Sequence, residues 1–83
     1  MKNEYIIDLK RVRAAKTVNA RIAAALPAPE GYGCNYDALF DLLTEYGAGW
    51  RIVFRHAAPS LTTLREVCAD AVADTPGLEV VFE

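Results

Sequence analysis

Residues 35–55 read NYDALFDLLTEYGAGWRIVFR, and this stretch decides the fold. Asn35 suits a helix N-cap, because its side-chain oxygen can accept a backbone N–H left free in the first turn. Behind it, Leu39, Leu42, Leu43 and Tyr46 recur at spacings of three, four and seven, which is the period of one helix face. Gly47 and Gly49 end the helix. Arg51 to Arg55 then encloses Ile-Val-Phe, and adjacent apolar residues in so short a run predict a buried strand. A helix followed at once by such a strand is the pattern of an α/β fold.

Outward from this unit the same alternation continues. Upstream, Pro27 to Cys34 is a loop holding Pro27, Pro29, Gly31 and Gly33. Before it, Thr17 is expected to cap a helix running to about Leu26, with Val18, Ile22, Ala25 and Leu26 on one side. The prolines stop that helix. Glu4 to Leu9 contains Tyr-Ile-Ile and predicts the first strand, and Lys10 to Lys16 is a basic connection. Downstream, His56 to Pro59 is a turn. A helix is expected from about Ser60 or Thr63 to Asp74, with Thr63 and Glu66 at capping-box spacing and Leu64, Val67, Cys68, Ala71 and Val72 facing inward. Thr75-Pro76-Gly77 is a turn, and Leu78 to Phe82 is the last strand. The order is β-α-α-β-α-β. Crossovers through helices favour parallel pairing, so the expected fold is α/β: a small three-stranded parallel sheet packed with helices, in one domain over residues 1–83.

Composition bounds what such a domain does. The chain is 53% hydrophobic and 24% charged, as ordinary compact proteins are. Its formal charge is −2, without the basic excess of most nucleic-acid binders, so no direct nucleic-acid partner is expected. The distribution is uneven, however. Lys10, Arg11, Arg13, Lys16 and Arg21 crowd the first quarter. From Ile22 to Trp50 there is no Lys or Arg, while Glu30, Asp37, Asp41 and Glu45 fall there. The basic group could touch phosphate, or it could balance the acidic segment within the molecule. Two cysteines, Cys34 and Cys68, are too few for a disulfide scaffold. The opening residues MKNEYIID lack a signal peptide's apolar run, and the longest apolar stretch is too short to span a bilayer. A cytoplasmic protein is therefore expected, with no membrane association, monomeric before it meets a partner.

The least ordinary feature is the second helix. Asp37, Asp41 and Glu45 lie four apart and share a face, at a cost of about 0.2–0.5 kcal/mol per like-charged pair. Asp37 is favoured by the dipole of the first turn. Asp41 and Glu45 have no basic residue near them in sequence. This is either a solvated helix face or an anionic surface awaiting a cationic partner. In the preceding loop, Tyr32 among glycines suits a recognition surface or an inward-packed connection equally well. Other chemistries fit poorly. Gly31-x-Gly33 follows a helix and is no phosphate loop. Cys34, His56 and Cys68 have no metal-ligand spacing, so neither metal nor cofactor is expected. His56 reads as a turn residue. Carboxylates on one exposed helix face lack a cleft to desolvate them, so no enzymatic activity is expected.

The stretch Pro29-Glu30-Gly31-Tyr32-Gly33-Cys34-Asn35-Tyr36-Asp37-Ala38-Leu39-Phe40-Asp41-Leu42-Leu43-Thr44 resembles the signature segment of the barstar family, through Tyr-Gly-x-Asn-x-Asp-Ala-Leu in register. The resemblance implies a three-stranded parallel sheet with helices packed on it. It also implies an immunity protein: an intracellular inhibitor of a secreted or toxin-type ribonuclease of the barnase kind. In that family the signature helix and its loop enter the enzyme's cationic active site. By position, Asn35, Asp37 and Asp41 match family contact residues, and Tyr46 falls where the family has an aromatic. Gly31, Tyr32 and Phe40 complete the partner-binding set that the resemblance implies. Asp41 would be the anchor, its carboxylate standing where a substrate phosphate sits. Three positions depart from the family: Gly31 replaces a contact tyrosine, Phe40 replaces a tryptophan, and the family's acid on the last helix falls near Val72, with Asp70 and Asp74 the nearest acids. A non-inhibitory interaction module of the same fold, binding another basic protein, is the alternative.

Overall fold

The computed structural model describes residues 3–83. Three strands, β1 (Asn3–Asp8), β2 (Trp50–Arg55) and β3 (Glu79–Phe82), form one sheet in the order β1-β2-β3, with both pairs parallel. Helices α1 (Ala15–Ala25) and α2 (Tyr36–Tyr46) lie between the first two strands in sequence, and α3 (Thr62–Asp74) between the last two. This is the β-α-α-β-α-β order expected. Successive crossovers of the usual right hand that step across the sheet in one direction place all their helices on one face.

Burial alternates accordingly. Ile7, Trp50, Ile52 and Phe54 point into the core, with Tyr5, Val80 and Phe82 packed against it. Tyr5 meets Trp50 edge-on at 5.3 Å, and Phe54 stacks on Phe82 at 5.1 Å. The opposite face carries rows in register. Glu4, Arg51 and Glu79 form one row, in which the Arg51 guanidinium reaches Glu4 at 3.0 Å and Glu79 at 2.8 Å. The next row is Ile6, Val53 and Val81. Ile6 is 55% exposed, while Val53, central and shielded by its neighbours, is only 5% exposed and stands outside the core cluster. The adjacent apolar pairs Ile6-Ile7 and Val80-Val81 are thus split between a buried and an open face.

Two helix starts differ from expectation. α1 begins at Ala15, with Ala14 as an N-cap that makes no side-chain bond, so Thr17 sits inside the first turn. The Val18 N–H already bonds the Ala14 carbonyl at 3.0 Å, and a cap at Thr17 would break that bond and withdraw Val18 from the core. α3 begins at Thr62 behind Leu61, again without a side-chain cap, and the Thr63–Glu66 capping box does not form. Burial of Leu61 and Leu64 sets this start: the Leu61 N–H closes a turn onto the Ala58 carbonyl.

The turn after α2 needs its glycines. The Gly47 N–H bonds the Leu43 carbonyl at 2.9 Å, and a Cβ at Gly47 would collide with that same oxygen. The Gly49 N–H then bonds the Gly77 carbonyl at 3.1 Å, tying the entry of β2 to the entry of β3, and both glycines have left-handed backbones. Among the described residues no helix is long and apolar enough to cross a membrane. Leu43 is fully buried in the core, so Leu43→Ala should cost about 2–5 kcal/mol in urea denaturation. Ile6→Ser, on the open face, should change stability by no more than about 0.5 kcal/mol.

Candidate functional site

α2 starts as its sequence predicts. Asn35 has an extended backbone, its Oδ1 accepts the Ala38 N–H at 2.7 Å, and its carbonyl accepts the Leu39 N–H at 2.8 Å. Leu39, Leu42 and Leu43 are buried, and α2 packs chiefly on α3. At about 100° per residue, setting Asp37 at zero puts Asp41 near 40° and Glu45 near 80°, while the three leucines fall at about 140–240°. Burying the leucines therefore turns the carboxylates outward, and Asp37, Asp41 and Glu45 are all exposed. Among the described residues none of the three is in a salt bridge. The intramolecular balancing by the N-terminal basic group is not formed: no ion pair joins Lys10, Arg11, Arg13 or Lys16 to these acids.

The aromatics divide differently. Tyr46 shares the leucine side of the helix by angle, yet it is 51% exposed. Tyr36 and Phe40 are half-buried and pack against the core. Tyr32 also turns inward. Its hydroxyl is buried without a hydrogen-bond partner, and burial pushes its pKa up to about 12. Of the two readings of this loop, the inward-packed connection is the one realised at Tyr32.

Gly31 and Cys34 shape the rest of the loop. Gly31 is exposed with φ +84° and open space where a Cβ would stand. The Tyr32 N–H closes a turn onto the Pro29 carbonyl at 3.1 Å. Cys34 is exposed in a left-handed backbone, and its thiol donates weakly to the Tyr32 carbonyl at 3.7 Å. Asn35 holds the loop's end as well, its Nδ2 donating to the Gly33 carbonyl at 3.4 Å. Asn35 and Asp37 thus stand at the start of α2, Asp41 at its middle and Tyr46 at its far end, with Gly31 on the preceding loop.

α3 adds surface beside α2. Asp70 and Asp74 are exposed, as is Val72 at 37%. Sequence reasoning placed Val72 on the inner face. Instead it borders an open groove of about 430 Å³ between α3 and β3, lined also by Arg65, Cys68, Val80 and Phe82. Arg65, one of the lining residues, lies over the Phe82 ring at 4.4 Å, an arrangement that no local sequence pattern signals.

A family model described as Barstar (barnase inhibitor) matches residues 3–80, nearly the whole chain. The chain belongs to the barstar family. No curated protein matches it. The family is one of ribonuclease inhibitors rather than of enzymes, and its members bind a protein partner. Within this barstar-family fold, α2 carries three exposed carboxylates in line, none of them in a salt bridge among the described residues.

Two measurements probe the site's construction. Asn35→Ala removes the cap of α2 and should lower stability by about 1 kcal/mol in urea denaturation. Cys34 should react at once with Ellman's reagent in the native protein. Cys68, buried with its thiol pushed up to about 12, should react only on unfolding.

Proposed function

We propose that this protein inhibits a barnase-type or related ribonuclease, with α2 and its preceding loop occluding the enzyme's cationic active site. The observation that carries this reading is the exposed line of Asp37, Asp41 and Glu45, held on a helix whose opposite side is locked into the core and left without ion pairs among the described residues. A nuclease cleft that binds polyanions must be positive. An acidic helix is drawn to it by the field, and salt screens that attraction. Once docked, Asp41 loses water and meets cationic groups that would otherwise hold phosphate. Removing one side of such a buried pair strands the other charge, at about 3–5 kcal/mol.

Asn35, Asp37 and Gly31 form the upper part of the proposed contact, and Tyr46 supplies an exposed ring at the lower end. Tyr32 and Phe40 act from below by fixing the loop and the helix against the core. The inhibitor acts in the cytoplasm of the cell that makes the nuclease, as a monomer until it binds. One observation favours the alternative, a module that binds another basic protein without inhibiting it: with Tyr32 half-buried against the core and glycine at position 31, the loop offers no fully exposed aromatic ring.

Titrating the protein into a barnase-type ribonuclease, or into the nuclease encoded beside it, should abolish RNA cleavage at one equivalent. A tight complex with full residual cleavage would establish the alternative instead. Asp41→Ala should weaken the inhibitory complex by about 3–5 kcal/mol, and Glu45→Ala, at the rim, by no more than about 1 kcal/mol. Equal losses would remove Asp41 from its anchoring role.

A further inference from the structure

The carboxyl ends of the strands carry the opposite charge to α2. The chain leaves β1 through a tight turn in which the Val12 N–H bonds the Leu9 carbonyl at 3.1 Å. Leu9 and Val12 are buried, so the two corner residues, Lys10 and Arg11, project into solvent. Arg11 has φ +63°, a backbone that glycine would adopt more readily. Arg13 and Lys16 follow, both exposed, at the entry of α1, whose first turn holds no acid.

Other cations converge on the same end. The Arg21 guanidinium donates to the Asp8 carbonyl at 3.0 Å, and the Leu9 N–H bonds the Arg55 carbonyl at 2.8 Å. The acids here are already engaged. Asp8 accepts the Lys10 N–H and faces the His56 Nδ1 at 3.1 Å, and Glu83 meets Arg55 at 3.6 Å. Lys10, Arg11, Arg13 and Lys16 form no salt bridge among the described residues.

We infer that this end of the sheet binds the phosphodiester backbone of nucleic acid, at a surface distinct from α2. The net charge of −2 spoke against such a partner, but it averages over the whole chain and hides the cluster of Lys10, Arg11, Arg13 and Lys16. The chemistry favours phosphate over an acidic protein. Protein interfaces are built around buried apolar or aromatic anchors. Here the exposed side chains of the turn and of α1's first turn are cations, alanines and one threonine, and none of the exposed large apolar residues lies among them. Charge without anchors suffices for backbone contacts, which carry no sequence information.

Fluorescence anisotropy with labelled oligouridylate and oligothymidylate of about twelve nucleotides tests this. Binding at about 50 mM salt should weaken steeply towards 200 mM, with a log–log slope of about −2 to −3.5, as three to five phosphate contacts on a single strand require. The combined variant Lys10→Gln, Arg11→Gln, Arg13→Gln and Lys16→Gln should bind at least about tenfold more weakly, with its far-ultraviolet circular dichroism unchanged. Arg11→Lys with Arg13→Lys should bind as the parent does. Equal affinity for the two oligonucleotides identifies backbone charge alone as the determinant, and preference for oligouridylate adds a contact to the ribose. No binding at low salt, or undiminished binding by the glutamine variant, overturns the proposal. Tighter binding of polyglutamate than of either oligonucleotide overturns it in favour of an acidic protein partner.

Discussion

Burial of Leu39, Leu42 and Leu43 fixes the orientation of α2. A helix has one azimuth per residue, so pinning three leucines to the core leaves no freedom for the other positions. Asp37, Asp41 and Glu45 must then face water, and they do so on a rigid element rather than on a loop. Fully burying three leucines is worth about 1.5–3 kcal/mol each, against a few tenths for each like-charge repulsion along the acidic face. The hydrophobic term wins by an order of magnitude, and the fold tolerates the charge line that its surface displays.

The two ends of α2 show how that rigidity is made. At the start, Asn35 both caps the helix and fastens the loop through Gly33. At the finish, Gly47 lets the chain turn so closely beneath Leu43 that no side chain fits. The hydrogen bond between Gly49 and Gly77 then couples this turn to the one before β3. The acidic helix is thereby referenced to the sheet at its base and to α3 along its side.

Charge is handled differently on the two sides of the molecule. On the open sheet face, register places Arg51 between Glu4 and Glu79, and acids and bases neutralise one another row by row. These pairs are exposed and contribute at most about 1 kcal/mol each. Their larger consequence is electrostatic: they consume Arg51 and Arg55 locally, leaving α2 uncompensated. Lys10, Arg11, Arg13 and Lys16, in no salt bridge among the described residues, gather at the β1–α1 turn. An overall charge near neutrality thus conceals an uneven distribution of charge.

The element order, the parallel sheet and the cap at Asn35 were legible in the residues alone, because each rests on local periodicity, turn chemistry or chain connectivity. The same holds for which residues of α2 face outward, since helix geometry converts spacing directly into azimuth. Sequence reasoning misjudged the starts of α1 and α3, where burial of Val18, Leu61 and Leu64 outweighed the capping preference of nearby threonines. It took the packed fold to show that Tyr32 turns inward and Tyr46 stays exposed, that Val72 lines a groove, and that Lys10, Arg11, Arg13, Lys16 and Arg21 form no ion pair with the acids of α2. Those facts concern how distant segments meet, and a side chain's burial or an ion pair's formation is fixed by which surfaces the crossovers bring together, which no local pattern encodes.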